Sequence, residues 1–176
     1  MADFTPITVP VVSEPISYFR PSPLSAQFTA LLPVLSAHIE AERDLAHVDR
    51  WDVAFIDWLA EAEQTRADLE AALNTLCETE VQRREDKPLL RMAMLTRMML
   101  ASEDAQEFLQ LHSLPQRMPS MFRCAGDHPV AARTNLLLSE VLIRLDALAS
   151  LPDYLDPIEV EAEAPVADSL AFAPAL

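Results

Sequence analysis

The chain contains a single glycine, Gly126, among its 176 residues, and this scarcity narrows the folds and functions open to it. Phosphate-binding loops and dinucleotide fingerprints need two or three glycines, because only a backbone without side chains approaches a pyrophosphate closely. Tight β-hairpins also favour residues that accept a positive φ angle. The sequence therefore excludes a P-loop NTPase and a Rossmann dehydrogenase, and it predicts an all-α protein.

Apolar residues at helical spacing predict a bundle of four to five helices, which we expect to be elongated. The first helix covers residues 24–47, where Pro33 either kinks or restarts it. The second helix runs from an N-cap at Asp49 to about Glu80. It carries a mostly apolar stripe that we expect to face the core: Trp51, Phe55, Trp58, Ala62, Thr65, Leu69, Leu73 and Leu76. Replacing either tryptophan with alanine should then cost about 3–5 kcal/mol of stability.

The second half of the chain predicts the remaining helices. A third helix begins near Pro88 and is apolar on nearly all sides, which predicts a central, buried position. The pattern restarts at Ser102, and a loop follows over residues 115–127. Asp127 is the predicted N-cap of a last helix over residues 129–150.

Prolines and charge divide the chain into three segments. Residues 1–23 contain five prolines and predict an extended, Pro-rich arm. Residues 24–151 are the predicted helical domain, long enough to bury roughly two-thirds of its unfolded surface. Residues 152–176 carry six acidic residues, no basic residue and four prolines, and they predict a disordered acidic tail.

The acidic excess argues against nucleic acid as a direct partner. The chain carries 28 acidic and 13 basic residues, a formal net charge of −15, although residues 88–151 are neutral with six of each. Phosphate binding needs clustered Lys and Arg, so we expect no direct nucleic-acid binding. The longest uncharged stretch, residues 21–39, is too polar and too rich in proline to predict a membrane span. Two cysteines and no signal-peptide pattern predict a cytoplasmic protein.

The groups with catalytic potential do not make up a recognisable active site. Two rows of carboxylates flank the stripe of the second helix, where we expect them to be solvated. The rows are Asp52, Glu63 and Glu70 on one side and Asp57, Glu61 and Asp68 on the other. Cys124 lies in the loop before the last helix, where we expect an exposed thiol whose thiolate the helix start stabilises. Without an assignable histidine–carboxylate pair beside it, we expect a protein that is not an enzyme and holds no cofactor.

Two spacings match parts of metal sites. Asp44-x-x-His47 has the carboxylate–histidine spacing of di-metal bundles. Such bundles carry this motif on two helices, and the sequence contains it once. Cys124-x-x-x-His128 offers two zinc ligands. Zinc prefers four, and the remaining candidates are Cys77 and His112. We therefore expect no metal site.

The last helix predicts an interaction surface. Its main stripe should face the core and consists of Leu138, Val141, Leu145 and Leu148. A second, narrower stripe, the α6 stripe, lies on another side and consists of Ala132, Leu136, Ile143 and Ala147. Either another helix of the chain or a second copy must cover it. The neutral charge of residues 88–151 favours a two-fold homodimer through this stripe.

Methionines extend the predicted interaction surface. Four lie within the third helix, at Met92, Met94, Met98 and Met99, and two lie in the following loop, at Met118 and Met121. Such residues either fill an irregular core or form an adaptable binding surface. The predicted interaction surface consists of Leu136, Ile143, Ala147, Met118 and Met121.

These patterns favour a non-catalytic helical adaptor or accessory protein that acts by binding another protein. The alternative is an acidic inhibitor or nucleic-acid mimic that occupies a basic groove, since rows of carboxylates on a long helix imitate phosphate spacing. Salt separates the two, because binding to a basic groove weakens steeply with ionic strength and an apolar interface hardly responds.

Overall fold

The computed structural model describes residues 20–49 and 51–154, and these form an all-α bundle, as the sequence predicted. Five helices have two turns or more, and no strand occurs in these ranges. The helices are α1 Pro23–His47, α2 Phe55–Glu78, α3 Asp86–Ala101, α4 Ala105–His112, the one-turn α5 Leu114–Arg117 and α6 Pro129–Ala149. Two 3₁₀ turns cover Pro119–Met121 and Pro152–Tyr154. Most of the predicted arm and tail lies outside the described residues, so the three-segment division stays a prediction.

The core lies between α1, α2, α3 and α6. α1 packs along α2 and also contacts α3 and α6, while α4 packs on α3 and α6. The largest fully buried side chains come from all of these helices and include Phe28, Leu35, Leu73, Met92, Phe108 and Leu145. The predicted core stripe of α6 is buried at every position, which confirms it. Helix α1 continues through Pro33, whose ring lies on the exposed side, so no restart occurs there.

A buried polar cluster ties the start of α1 to the start of α3. Ser22 caps α1 by accepting a hydrogen bond from the N–H of Ser25 at 3.1 Å. The same hydroxyl donates to Oδ1 of Asp86 at 2.6 Å, and Oδ2 of Asp86 accepts from the N–H of Arg83 at 3.0 Å. Both Ser22 and Asp86 are buried, so each supplies the partner that the other needs.

The second helix begins at Phe55 and not directly after Asp49, which corrects the predicted cap. Oδ1 of Asp49 accepts from the N–H of Trp51 at 3.0 Å, and Oδ1 of Asp52 accepts from the N–H of Ala54 at 2.9 Å. Such side-chain turns compete with a helix for the same backbone groups. Residues 51–54 therefore form tight turns before α2.

The prediction that both tryptophans are core residues is wrong. Trp51 is 92% exposed and Trp58 is 38% exposed, and the stripe of α2 is fully buried only at Ala62 and beyond. The guanidinium of Arg66 donates to the carbonyl of Leu100 at 3.2 Å, which places the end of α3 level with Arg66. Because the first turns of α2 lie beyond this level, they have no α3 to pack against.

The start of α6 also differs from its prediction. His128, and not Asp127, is the N-cap, because its Nδ1 accepts a hydrogen bond from the N–H of Ala131 at 3.3 Å. Gly126 has a φ of 102°, a left-handed conformation that side chains resist, so the only glycine stands where the turn into α6 needs one. The segment predicted as a loop over 115–127 contains most of α5 and a 3₁₀ turn.

The composition of α3 predicted a central helix that is buried on all sides. The helix is central, but one of its sides is exposed. Met92 and Met99 are fully buried and fill the core, whereas Met94 and Met98 are exposed. Two of the four methionines in α3 therefore fill the core, and whether the two exposed ones belong to a binding surface stays a prediction. The next helix restarts after Ser102 as predicted, with Asp104 as the N-cap of α4.

Candidate interaction surfaces

The structure separates the five residues of the predicted interaction surface. On α6, Leu136 is 51% exposed and Ile143 is 66% exposed. Met118 is exposed after α5, whereas Met121 and Ala147 are partly buried and pack against the core. The α6 stripe therefore retains two large exposed side chains, and Met121 and Ala147 serve mainly the core.

No helix of the described ranges covers the middle of the α6 stripe. One flank is held to the bundle, because the guanidinium of Arg144 donates to the hydroxyl of Ser36 on α1 at 2.9 Å and to Oε2 of Glu140 at 2.9 Å. Leu136 and Ile143 stay exposed beside this flank. The alternative that another helix of the chain covers these two residues is thus wrong for the described part of the chain.

The protein has a second exposed apolar surface, which the sequence pattern did not predict. It lies on the turns before α2 and on the first turns of that helix. We call it the Trp51 surface, and it consists of Trp51, Val53, Ile56, Trp58 and Leu59. Val53 is 93% exposed and Ile56 is 74% exposed. Five large apolar side chains exposed within nine residues are typical of an interaction site on a folded protein.

The Trp51 surface adjoins a cleft of about 330 Å³ at the same end of the bundle. Phe55, which is partly buried, joins the cleft to the surface. The lining comes from the end of α1, the turn after it and the residues after α6: Glu42, Leu45, Ala46, Val48, Phe55, Leu151 and Pro152. The bundle therefore offers a recess with both apolar and polar lining next to the start of α2.

Four carboxylates lie beside the Trp51 surface, in the segment between Arg50 and Arg66. All four charged residues between Trp51 and Thr65 are carboxylates, and all four are exposed: Asp52, Asp57, Glu61 and Glu63. The predicted solvated rows of the second helix are thus on the surface, with Asp68 and Glu70 exposed as well.

Helix α3 presents exposed residues of the opposite charge. Lys87, Arg91, Met94 and Met98 follow one another at steps of four, three and four residues, so they share one face of the helix, and all four are exposed. The guanidinium of Arg91 donates to the carbonyl of Met121 at 3.1 Å. We call these four residues the α3 basic face.

Cys124 is less exposed than the sequence predicted, and the pKa values of both thiols are raised. Cys124 is buried and its Sγ lies 3.5 Å from the carbonyl oxygen of Glu85. Burial first, and then the Glu85 carboxylate, raise the pKa of the Cys124 thiol. Burial also raises the pKa of the Cys77 thiol. The expectation of an exposed Cys124 with a stabilised thiolate is therefore wrong.

The three histidines among the candidate metal ligands contact other groups of the protein. Nε2 of His112 lies 2.8 Å from Oδ1 of Asp146, and Nε2 of His128 lies 3.4 Å from Oε1 of Glu85. Nδ1 of His47 lies 2.7 Å from the carbonyl oxygen of Arg43. Within residues 20–49 and 51–154, no three His, Cys, Asp or Glu side chains are grouped to hold a metal ion.

His38 is the one fully buried side chain of the described ranges whose polar atoms lack a hydrogen-bond partner. Oε1 of Glu42 is 3.8 Å from Nδ1, which is too long for a hydrogen bond. Burial first, and then the positive charge of Arg66, lower the pKa of His38 below 6.5, although the Glu70 carboxylate opposes them. The ring is therefore neutral in the folded protein at pH 7.

Replacing His38 with leucine should raise the free energy of unfolding by about 1–2 kcal/mol at pH 7, because two unsatisfied buried nitrogens are removed. Since the pKa of His38 is lowered on folding, its neutral form supports full stability above pH 6.5. That stability is lost as the pH falls through the folded-state value. His38→Leu should therefore flatten the pH dependence between pH 7.5 and 5.5, measured by urea unfolding.

The matched control is His47→Gln, since His47 is exposed and bonded to its own helix. This control should show the same change in the free energy of unfolding with pH as the wild-type protein. A His38→Leu variant that is less stable and keeps that slope would show that the ring is hydrogen-bonded in solution.

None of the helices in residues 20–49 and 51–154 is long and apolar enough to cross a bilayer. The class that the structure defines is an all-α bundle with exposed apolar surfaces. No protein-family model, no curated protein and no solved structure matches the chain.

Proposed function

We propose that this chain is a non-catalytic helical adaptor or accessory protein that acts by binding another protein through the Trp51 surface. The observation that carries the proposal is the exposure of Trp51, Val53 and Ile56 next to a cleft that Phe55 helps to line. Each of these side chains loses about 1.5–3 kcal/mol of hydrophobic stabilisation by staying in water. A docked partner recovers that free energy.

The groups with catalytic potential support the non-catalytic part of the proposal, because they hold the fold together. The N–H of Cys124 donates to Oδ1 of Asn135 at 2.8 Å, and Nδ2 of Asn135 donates back to the carbonyl of Cys124 at 3.1 Å. His128 caps α6. Cys77 and Cys124 are both free thiols, which supports a reducing compartment such as the cytoplasm.

A photo-crosslinking amino acid at Val53 tests the proposal in the protein's own cells. We expect it to capture one polypeptide that the same probe at Gln110, an exposed position on α4, does not capture. Ile56→Ser in the same chain should abolish the capture while the melting temperature stays unchanged. Capture at both positions, or capture that survives Ile56→Ser, would contradict the proposal.

We also propose that two copies pair through the α6 stripe. Its members stand at steps of four, seven and four residues, so an antiparallel pair places Leu136 of one copy against Ile143 of the other. Ile143→Glu should convert a dimer into a monomer at micromolar concentration, because it buries two unpaired carboxylates at the interface. Light scattering behind a sizing column measures this.

The control for the dimer is Met94→Glu, which adds the same charge at an exposed position of α3. It should leave the dimer intact. A wild-type protein of monomer mass, or a dimer that persists in Ile143→Glu, rejects the α6 interface.

The alternative function, an acidic mimic that occupies a basic groove, draws support from the exposed carboxylate row of α2, which consists of Asp57, Glu61 and Asp68. Raising the salt concentration from 0.1 to 0.5 M would weaken such a complex by more than tenfold, in proportion to the charges paired. We expect less than a tenfold loss for the partner of the Trp51 surface, because apolar burial provides most of its affinity.

A further inference from the structure

The Trp51 surface combines apolar exposure with charge of one sign, and this combination restricts its partner. On α2, Ile56, Leu59 and Glu63 stand at i, i+3 and i+7 and therefore lie along one side of the helix. Asp52 precedes the helix and Asp57 lies in its first turn. A partner that covers the apolar side chains also meets carboxylates on more than one edge.

Resting on the proposed function, we propose that the occupant of the Trp51 surface is a cationic amphipathic helix of another protein. Its apolar stripe covers Trp51, Val53 and Ile56, and its flanking Lys or Arg side chains pair with Asp52 and the other surrounding carboxylates. An amphipathic helix in an apolar site is a common mode of peptide recognition, and opposite rim charges set its orientation and specificity.

Two other occupants fit less well. A membrane surface with anionic headgroups is repelled by the four carboxylates beside the Trp51 surface. A second copy could offer the α3 basic face, but Arg91 there is bonded to the carbonyl of Met121 of its own chain.

The two tryptophans of the chain both belong to the Trp51 surface, so intrinsic fluorescence reports on it directly. The probe is a designed peptide of about 18 residues with Leu on one helical face, Lys elsewhere, and no Trp or Tyr. We expect it to shift the tryptophan emission of the full chain to shorter wavelength as the rings leave water. The counterpart peptide, with Glu in place of every Lys, should bind at least tenfold more weakly.

Variants separate docking at this site from attraction to an acidic protein in general. Ile56→Ser should weaken the Lys peptide about tenfold, because it removes one buried apolar anchor. Neutralising three carboxylates of the site, in the variant Asp52→Asn, Asp57→Asn, Glu63→Gln, should also weaken it about tenfold. The control removes three exposed carboxylates elsewhere and consists of Glu78→Gln, Glu80→Gln and Glu103→Gln. It should weaken binding less than threefold.

Several results would overturn the proposal. One is that the Glu peptide binds as tightly as the Lys peptide. Another is that the site variant and the control variant lose the same affinity for the Lys peptide. A third is that anionic vesicles, added without the peptide, shift the tryptophan emission to shorter wavelength. A blue shift that grows with protein concentration alone and disappears in Met98→Ser assigns the surface to a second copy. If the crosslinker at Val53 still captures a polypeptide when the peptide experiment fails, the proposed function stands and only the cationic helix is wrong. If it captures none, the proposed function itself fails.

Discussion

Replacing Phe28 with alanine should lower the free energy of unfolding by about 3–5 kcal/mol. Phe28 is fully buried in α1, among core side chains of α2, α3 and α6. Truncation removes the ring from apolar surroundings and leaves a cavity that close-packed neighbours fill only in part. Urea unfolding monitored by circular dichroism measures the loss.

The matched control is Trp51→Ala. It removes an even larger ring, but from a side chain that is 92% exposed, and it should change stability by less than about 0.5 kcal/mol. A loss of several kcal/mol for Trp51→Ala, or less than about 1 kcal/mol for Phe28→Ala, would contradict the packing described above.

Replacing Asp86 with alanine should lower the free energy of unfolding by about 2–4 kcal/mol. The carboxylate is buried and accepts hydrogen bonds from the Ser22 hydroxyl and the Arg83 N–H. Alanine removes the acceptor that both donors use, and Ser22 also loses the contact that orients it as the cap of α1. The effect therefore reaches two helix starts that are 64 residues apart in the chain.

Two further variants test this explanation of the Asp86 cluster. Asp86→Asn keeps the size and one acceptor oxygen and should cost about half as much as alanine. Ser22→Ala should cost about 1–2 kcal/mol, because it removes the cap as well as the donor. In a double-mutant cycle the Ser22 and Asp86 losses should be less than additive. Strict additivity would mean that the two side chains do not act together.

The proposed surfaces have different charges, which suits them to different partners. The α6 stripe lies in the part of the chain with no net charge, whereas four exposed carboxylates lie beside the Trp51 surface. A dimer through α6 would present two Trp51 surfaces, and a partner with two docking segments would bind it more tightly than one with a single segment.

The sequence by itself determined the secondary structure and most of the core. Periodicity placed α1, α3 and α6 within about two residues of their ends, and it identified the core stripe of α6, because a helix in water must bury its apolar side. The segment 115–127, which contains most of α5, and the start of α2 were exceptions. The Asp49 and Asp52 turns compete with the helix there, and the apolar pattern continues past them unchanged.

Only the tertiary structure decided which apolar side chains are buried by a neighbouring element. Trp58 and Leu69 belong to the same stripe, yet Leu69 is fully buried and Trp58 is partly exposed, because α3 ends level with Arg66. The burial of Cys124 and the exposure of Met98 were decided in the same way, by which elements pack next to them. Periodicity shows which side of a helix is apolar, but burial depends on a neighbour from elsewhere in the chain. The candidate binding surface arises where that neighbour is missing.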